Sequence, residues 1–488
     1  MTLRDHNLTV YNSLRRRHEP FKPIEPPHVG MYVCGPTVYG DAHLGHAKSY
    51  VAFDVVLRYL RHLGYQVRYV QNITDVGHLT DDADEGEDKV EQRARAERVH
   101  PMQIAETFTR RYFEDMDALN VLRPDISPRA SGHVIEQIEL VKRLLARGHA
   151  YEVNGSVYFE VSTWPPYGRL SGRNVEDMQA GARVEVNPEK RAPADFALWK
   201  RAEPGHIMQW PSPWGIGYPG WHIECTVMGQ KYLGESFDIH GGGIENIFPH
   251  HEDEIAQAEA ATGKPFVRSW LHNNMVTVGG QKMGKSLGNF LTLRDAFQKW
   301  PPMVLRLFLL QSHYRSPTDF SPEALDAARE GYERLAGAVT ALRKAVGGRA
   351  AADGPPAGPQ PPPVAEAERR FHEAMDDDFN TPLALAALFD LAREANKEIA
   401  GKASSPAALA PFDAAFTQLG GEVLGLSFEA PAAAGAEAMD RVVQVLIAQR
   451  AEARKAKDFK RADWIRDRLK GAGVVLEDTP DGTVWRLE

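Results

Sequence analysis

The stretch that most constrains the fold lies near the N-terminus. Gly30-Met31-Tyr32-Val33-Cys34 is a β-prone apolar run that Gly35-Pro36-Thr37 breaks. From Ala47 to Leu63, the apolar residues Tyr50, Val51, Val55, Leu57 and Leu60 then recur at helical spacing, and Gly64 supplies the stop. Gln66 to Gln71 reads as a second strand. Strand, long helix and strand in such a short span predict a right-handed βαβ unit, whose sheet binds ligands beyond the carboxyl ends of its strands. That puts residues 35–46 at a ligand site.

A chain of 488 residues has room for about three domains. With 43% hydrophobic and 25% charged residues, collagenous, wholly disordered and coiled-coil classes drop out. No apolar run is long enough for a membrane helix, the first residues lead into no signal-peptide core, and the expected address is the cytoplasm. In a reducing compartment the two cysteines, Cys34 and Cys225, stay thiols free to bind metal. A net charge of −9 argues against nonspecific coating of nucleic acid and leaves room for a local basic face.

Residues 347–363 form a Gly/Ala/Pro run without hydrophobic period, as in a solvated linker. Strand-like and helix-like segments alternate upstream. Downstream, 383–399 and 439–469 read as helix, with loops at 402–411 and 428–435. Val474 to Glu477, the turn at Asp478 to Gly482, and Thr483 to Arg486 mark a terminal hairpin. No internal repeat is visible.

Three groups of residues carry chemistry. His43-Leu44-Gly45-His46 stands at the entry of the long helix, where free N–H groups and the positive dipole end favour anions. Two imidazoles there can donate to phosphate oxygens, and Gly45 lets a flat group lie on the backbone. Two surface histidines at a helix start would look the same. Gly279-Gly280-Gln281-Lys282-Met283-Gly284-Lys285-Ser286 satisfies the GxxxxGK(S/T) P-loop pattern, but Leu287-Gly288-Asn289 is a poor first turn for the helix a P-loop needs. The competing reading is a loop presenting Lys282 and Lys285 to the charge on a departing pyrophosphate; a basic hairpin tip in water is a third. Finally, Pro249 starts a helix on which His250 and Glu254 share one face, and with Cys34 and Cys225 they make a tetrahedral zinc set. The cysteines could equally be small buried hydrophobes. Trp221 and His240, the latter entering Gly241-Gly242-Gly243, are candidate pocket walls.

Taken together, the chain resembles the cysteinyl-tRNA synthetase family of class I aminoacyl-tRNA synthetases over essentially its whole length. His43-Leu44-Gly45-His46 is similar to the HIGH signature, and Lys282-Met283-Gly284-Lys285-Ser286 to KMSKS with Gly for Ser. Further family-specific stretches are Met31 to Gly35, Asn72-Ile73-Thr74-Asp75, Leu122 to Asp125, Trp221 to Cys225, Asp238 to Gly243, Pro249 to Glu252 and Asp376 to Thr381. The resemblance implies an α/β fold: a Rossmann-like catalytic domain with an insertion and a zinc site over 1–320, a helical bundle over 321–435, and a small anticodon-binding α/β element over 436–488.

It also implies zinc on Cys34, Cys225, His250 and Glu254, reading the thiol of L-cysteine. His43, Gly45, His46 and Lys285 would bind ATP with its Mg²⁺, and His43, His46, Lys282 and Lys285 would act on the phosphates. Thr74, Trp221 and His240 would line the amino-acid pocket. The implied partners are ATP, L-cysteine and tRNA(Cys), with no membrane, and a monomer is expected. From Arg441 to Lys470, ten Lys/Arg stand against four Asp/Glu, with Phe459 and Trp464 among them, a pattern suited to RNA backbone and unpaired bases. The nearest rival is the mycothiol-pathway ligase that joins cysteine to an amino sugar, which shares the catalytic core only; a P-loop NTPase is the other.

Overall fold

The computed structural model describes residues 3–76, 88–174, 187–220, 222–283, 289–348, 360–401, 405–428, 433–479 and 482–487. They form two compact units, Met1–Ser427 and Phe428–Glu488.

The first unit is built on β1 (His28–Val33), α1 (Leu44–His62) and β2 (Gln66–Gln71), with β1 and β2 parallel from His28↔Gln66 to Val33↔Gln71. Much later in the chain come α2 (Ile223–Leu233), β3 (Phe237–Gly243), α3 (His250–Thr262) and β4 (Val267–Asn273). The strands form one parallel sheet in the order β4-β3-β1-β2. Its centre is buried on both faces, which is why Val29, Met31, Tyr32 and Val33 run without alternation. On β3 a side chain at Gly241 would drive its Cβ to 2.4 Å from the Phe53 ring of α1, so the glycine is what lets the helix seat on the sheet.

Between β2 and α2 lies the insertion. It holds helices Lys89–Glu97, Pro101–Ala118 and Val134–Ala146 and an antiparallel sheet of five strands. Its Phe159, Phe196 and Trp199 belong to the same hydrophobic core as Phe237 and Trp270 of the parallel sheet. After β4, β5 (Val276–Val278) leads to helices Pro302–Leu310, Pro322–Val346, Pro362–Asp376 and Thr381–Ala400. Arg306, fully buried, fastens these helices to α1: it pairs with Asp54 and donates to the carbonyls of Leu424 and Leu119, each at 2.8 Å.

The structure departs from the expected loop at 402–411. Residues Pro406–Ala415 are helical, because Ser405 caps the first turn and Pro406 sits where a missing N–H costs nothing. The expected loop at 428–435 likewise gives way to helix from Ala433. In the second unit the run 439–469 is two helices, Ala433–Lys455 and Phe459–Gly471, broken where Lys457 takes φ 60 and Asp458 caps the next start. Val443, Ile465, Leu469 and Val474 make its core, under the hairpin Val474–Thr479 and Gly482–Leu487. The turn residues Pro480 and Asp481 and most of the linker, 349–359, lie outside the described residues. Among the described residues no helix is long and apolar enough to cross a membrane.

Candidate active site

A cleft opens at the carboxyl ends of the parallel strands, and residues 34–46 form much of its wall. At the entry of α1, His43 is the N-cap. The Gly45 N–H donates to His43 Nδ1 at 3.0 Å, and the His43 N–H donates to His46 Nδ1 at 3.2 Å. The two rings stack with centroids 3.9 Å apart. An Nδ1 that accepts from an amide is unprotonated, so each neutral ring carries its proton on Nε2. Burial, and then the neighbouring His43, hold the pKa of His46 well below its usual range, which keeps that ring neutral. Gly45 has a second use besides an open backbone: a Cβ there would lie 2.8 Å from His43 Cε1.

The lysine segment is a hairpin. β5 pairs with Gln281–Lys282, Thr277↔Lys282 and Val278↔Gln281, around a turn of Gly279 and Gly280 at φ 59 and 75. Two consecutive positive φ values make this the tight turn that matches strand twist, and glycines fill it without strain. Lys282 lines the cleft with His43 and His46. Residues 289–292 are not helical, and the next helix starts at Leu293. Gly284, Lys285 and Ser286 lie outside the described residues. A P-loop needs strand, open loop and immediate helix; a two-residue hairpin in its first half excludes that reading.

Beside the histidines, four side chains converge. Cys34 follows β1, Cys225 lies in the first turn of α2, and His250 and Glu254 lie one turn apart on α3. Cys34 Sγ stands 3.2 Å from His250 Nε2 and 3.8 Å from Glu254 Oε1, and His250 Nε2 stands 3.0 Å from Glu254 Oε1. With Cys225, all four ligand atoms fall within 4.8 Å of one another. A tetrahedral zinc with bonds of 2.0–2.3 Å needs ligand separations of roughly 3.3–3.8 Å, and those among Cys34, His250 and Glu254, 3.0 to 3.8 Å, lie close enough to that range for small shifts to let the set hold the ion. The electrostatics agree. Burial pushes the Cys34 thiol up to about 12 and also holds Cys225 well above the usual thiol range, so the protein alone keeps both protonated and a cation is what would ionise them. Burial would also raise Glu254, but His240 and His250 outweigh it and hold the carboxyl at about 2.

A second group, Cys34, His240, His251 and Glu254, overlaps the first. His251, which the sequence reading passed over, brings Nε2 to 3.1 Å from Cys34 Sγ while its Nδ1 meets His272 Nε2 at 2.8 Å. His240 is fully buried behind Glu254, meeting its Oε2 at 2.8 Å and stacking on Trp270, and it does not line the cleft. The first group opens on the cleft through Cys34, Cys225 and His250, the second through Cys34 alone.

Thr74 lines the cleft and accepts from Asn72 Nδ2 at 2.9 Å, while Asn72 Oδ1 accepts from the Gly35 N–H at 2.7 Å. Trp221 lies outside the described residues. The wall also includes Glu224, whose carboxyl burial raises to about 7, and His222, held at φ 57 with its ring on His250. Neither stood out in the sequence; a helix-start residue forced to positive φ is visible only in the fold. In the second unit Phe459 and Trp464 are each 60% exposed, and Arg468 lies 5.5 Å from the Trp464 ring.

Models of known families match nearly the whole chain: tRNA synthetases class I (C) catalytic domain at residues 20–330, DALR domain at 370–429, and cysteinyl-tRNA ligase anticodon binding domain at 437–486. A cysteine–tRNA ligase of Thermus thermophilus is 55% identical over 485 residues, covering 99% of both chains. That of Chlorobaculum tepidum is 53% identical over 490 residues, covering 98% of this chain and 99% of its own. Among solved structures, Mycobacterium tuberculosis methionyl-tRNA synthetase with methionyl-adenylate shares the fold at TM-score 0.54 and 18% identity, over 81% of this chain and 89% of its own. The Agrobacterium radiobacter K84 agnB2 LeuRS–tRNA–LeuAMS complex does so at TM-score 0.58 and 13% identity, over 83% and 85%. The chain, with its Rossmann-like catalytic sheet, belongs to the cysteine–tRNA ligase family of class I aminoacyl-tRNA synthetases.

Proposed function

We propose that this cysteine–tRNA ligase first activates L-cysteine with ATP and then transfers the cysteinyl group to the 3′-terminal ribose of tRNA(Cys), selecting cysteine by its thiol. The observation that carries this reading is a single cleft lined by two thiols, an imidazole and the two stacked histidines with Lys282. Cys34, Cys225, His250 and Glu254 would hold zinc, which would supply a Lewis acid that favours an ionisable thiol over the hydroxyl of serine. Such chemistry separates the two amino acids by more than shape alone, and no editing site is needed.

In the first step a cysteine carboxylate oxygen attacks the α-phosphorus of ATP in line, and the bond to the bridging oxygen breaks, releasing pyrophosphate with its Mg²⁺. Positioning and electrostatics dominate such transfers. His43 and His46 donate from Nε2 to the α-phosphoryl oxygens, and Lys282 and Lys285 meet the charge on the leaving pyrophosphate. Gly45 gives ATP a close approach to the α1 backbone. Thr74 and Trp221 bound the amino acid, and His240 aims Glu254. The work divides as catalytic domain 1–320, helical bundle 321–435 and anticodon-binding element 436–488, in a monomer of the cytoplasm. The basic face around Phe459, Trp464 and Arg468 supports stacking on anticodon bases.

ATP–pyrophosphate exchange tests the first step: cysteine should support it, serine should not, and chelation should abolish it. Charging of tRNA(Cys) by the full chain should be lost on deleting 436–488. A chain that exchanges with cysteine yet charges only an amino sugar would refute the tRNA assignment.

A further inference from the structure

Both limbs of the lysine loop are tied to the start of α1, but by different means. The outgoing limb is tied directly: Thr292 bridges His43, the Leu293 N–H donates to the Ala42 carbonyl at 2.8 Å, and the Phe290 ring meets the His43 ring edge-on at 5.2 Å. The incoming limb is tied just before β5 by Ser49 Oγ, which donates to Asn273 Oδ1 at 2.9 Å, and further on through a third strand, Thr318–Phe320. This strand pairs in parallel with β5, Val276↔Thr318 to Val278↔Phe320. Asp319 Oδ1 accepts from Thr277 Oγ1 at 2.7 Å and from the Gly280 N–H at 2.8 Å, so the strand fixes the glycine turn as well.

Lys48 links the strand to the helix by hydrogen bonds. It stands two residues beyond His46 on α1 and is 2% exposed. Its Nζ donates to Thr318 Oγ1 at 2.7 Å and to the His313 carbonyl at 3.4 Å, and among the described residues it pairs with no carboxylate. Burial pulls its pKa down to about 8. An interior ammonium held by two neutral oxygens costs stability, so what it contributes is sought in its geometry. Here the geometry links the histidine helix to the strand that carries Lys282.

We propose that Lys48 is a positioning residue that sets the lysine hairpin against the paired histidines through Thr318. It touches no substrate. Because the two halves of the phosphate site come from separate segments, their relative placement decides whether both bear on one transferring phosphoryl group, and misplacement by an ångström is felt in the chemical step. The proposal rests on the adenylate-forming reading above.

The test is cysteine-dependent ATP–pyrophosphate exchange by the full chain, with zinc content measured alongside. Lys48→Met and Thr318→Val should each lower kcat about ten-fold or more, with KM for cysteine within about two-fold and zinc content unchanged. The double variant should be no worse than Lys48→Met alone, and Lys48→Arg should recover much of the rate. Wild-type kcat in either single variant overturns the proposal, as does a loss in which cysteine KM and zinc content change together with kcat. If Lys48→Met does not fold, Thr318→Val, which removes one hydroxyl, decides by the same readings. If the wild-type chain shows no exchange, the adenylate reading fails; if it does while both variants match it, only the role of Lys48 fails.

Discussion

Replacing Gly45 by alanine should separate catalysis from folding. Gly45 lies in ordinary helical backbone, so alanine can adopt its conformation. The added Cβ would stand 2.8 Å from His43 Cε1 and 3.0 Å from Nδ1, where carbon contacts are comfortable only near about 3.6 Å. The His43 ring must therefore swing away by about 0.8 Å, breaking its bond from the Gly45 N–H. Losing that cap costs about 1 kcal/mol, and alanine returns up to about 1 kcal/mol in helix propensity, so stability should barely change. The chemistry has no such offset. The displaced ring no longer aims Nε2–H at the α-phosphoryl group, and loss of one such donor lowers kcat by about 100-fold, or about 2.7 kcal/mol. The assay is exchange at saturating cysteine and ATP beside a thermal melt. Exchange within about three-fold of wild type would refute the role given to His43, and a melting temperature many degrees lower would make Gly45 a folding residue instead.

Cys225→Ala should remove zinc and cysteine activation together, checked by metal analysis beside exchange; full zinc in the variant would strike Cys225 from the ligand set. Lys285→Ala should cut adenylate formation about 100-fold with little effect on cysteine binding, measured by single-turnover exchange and by isothermal titration, and an unchanged rate would count against it. His62 and His372, stacked with centroids 5.1 Å apart, are each held below the usual histidine pKa, by burial first and then by Arg4, His62 to about 3. A folded pKa below the unfolded value of about 6.5 means that the unfolded chain binds more protons below that pH. Stability from this pair is thus complete above pH 6.5 and is lost as pH falls through and below it, towards about 3 for His62. The urea midpoint should drop between pH 7.5 and 5.5, and less so for His62→Gln; an identical drop in the variant would dismiss the pair as its source.

Local signals were legible and long-range ones were not. The βαβ unit could be read because a strand, an amphipathic helix and a glycine stop each declare themselves within a few residues. Ser405 with Pro406 declared a helix start just as locally, but the alanine-rich run around it has no hydrophobic period and reads as loop. Donor chemistry made Cys34, Cys225, His250 and Glu254 a zinc set on paper. Spacing cannot say whether residues so far apart in sequence meet, because a parallel sheet decides it: the end of β1 and the starts of α2 and α3 all reach the same edge. His251 shows the converse. It neighbours His250, points inward to Cys34 and His272, and nothing in the pattern His250-His251 tells which ring faces which way.

The P-loop match at 279–286 shows why a motif must be read with its backbone. The pattern asks for glycines, a lysine and a hydroxyl at fixed offsets, and this segment has them all. A P-loop uses its glycines to curl successive N–H groups around one phosphate and passes straight into a helix whose dipole points at it. Here Gly279 and Gly280 serve a different geometry: they reverse the chain in two residues, so that Thr277 and Lys282 face each other across a ladder. The helix dipole that faces the cleft comes from α1, more than 200 residues earlier in the chain. Anion-binding helix and hairpin-borne cation are thus divided between two segments rather than fused in one. That division requires a structural tie between them, and Asp319, Thr318 and Lys48 are among the residues that run from one to the other.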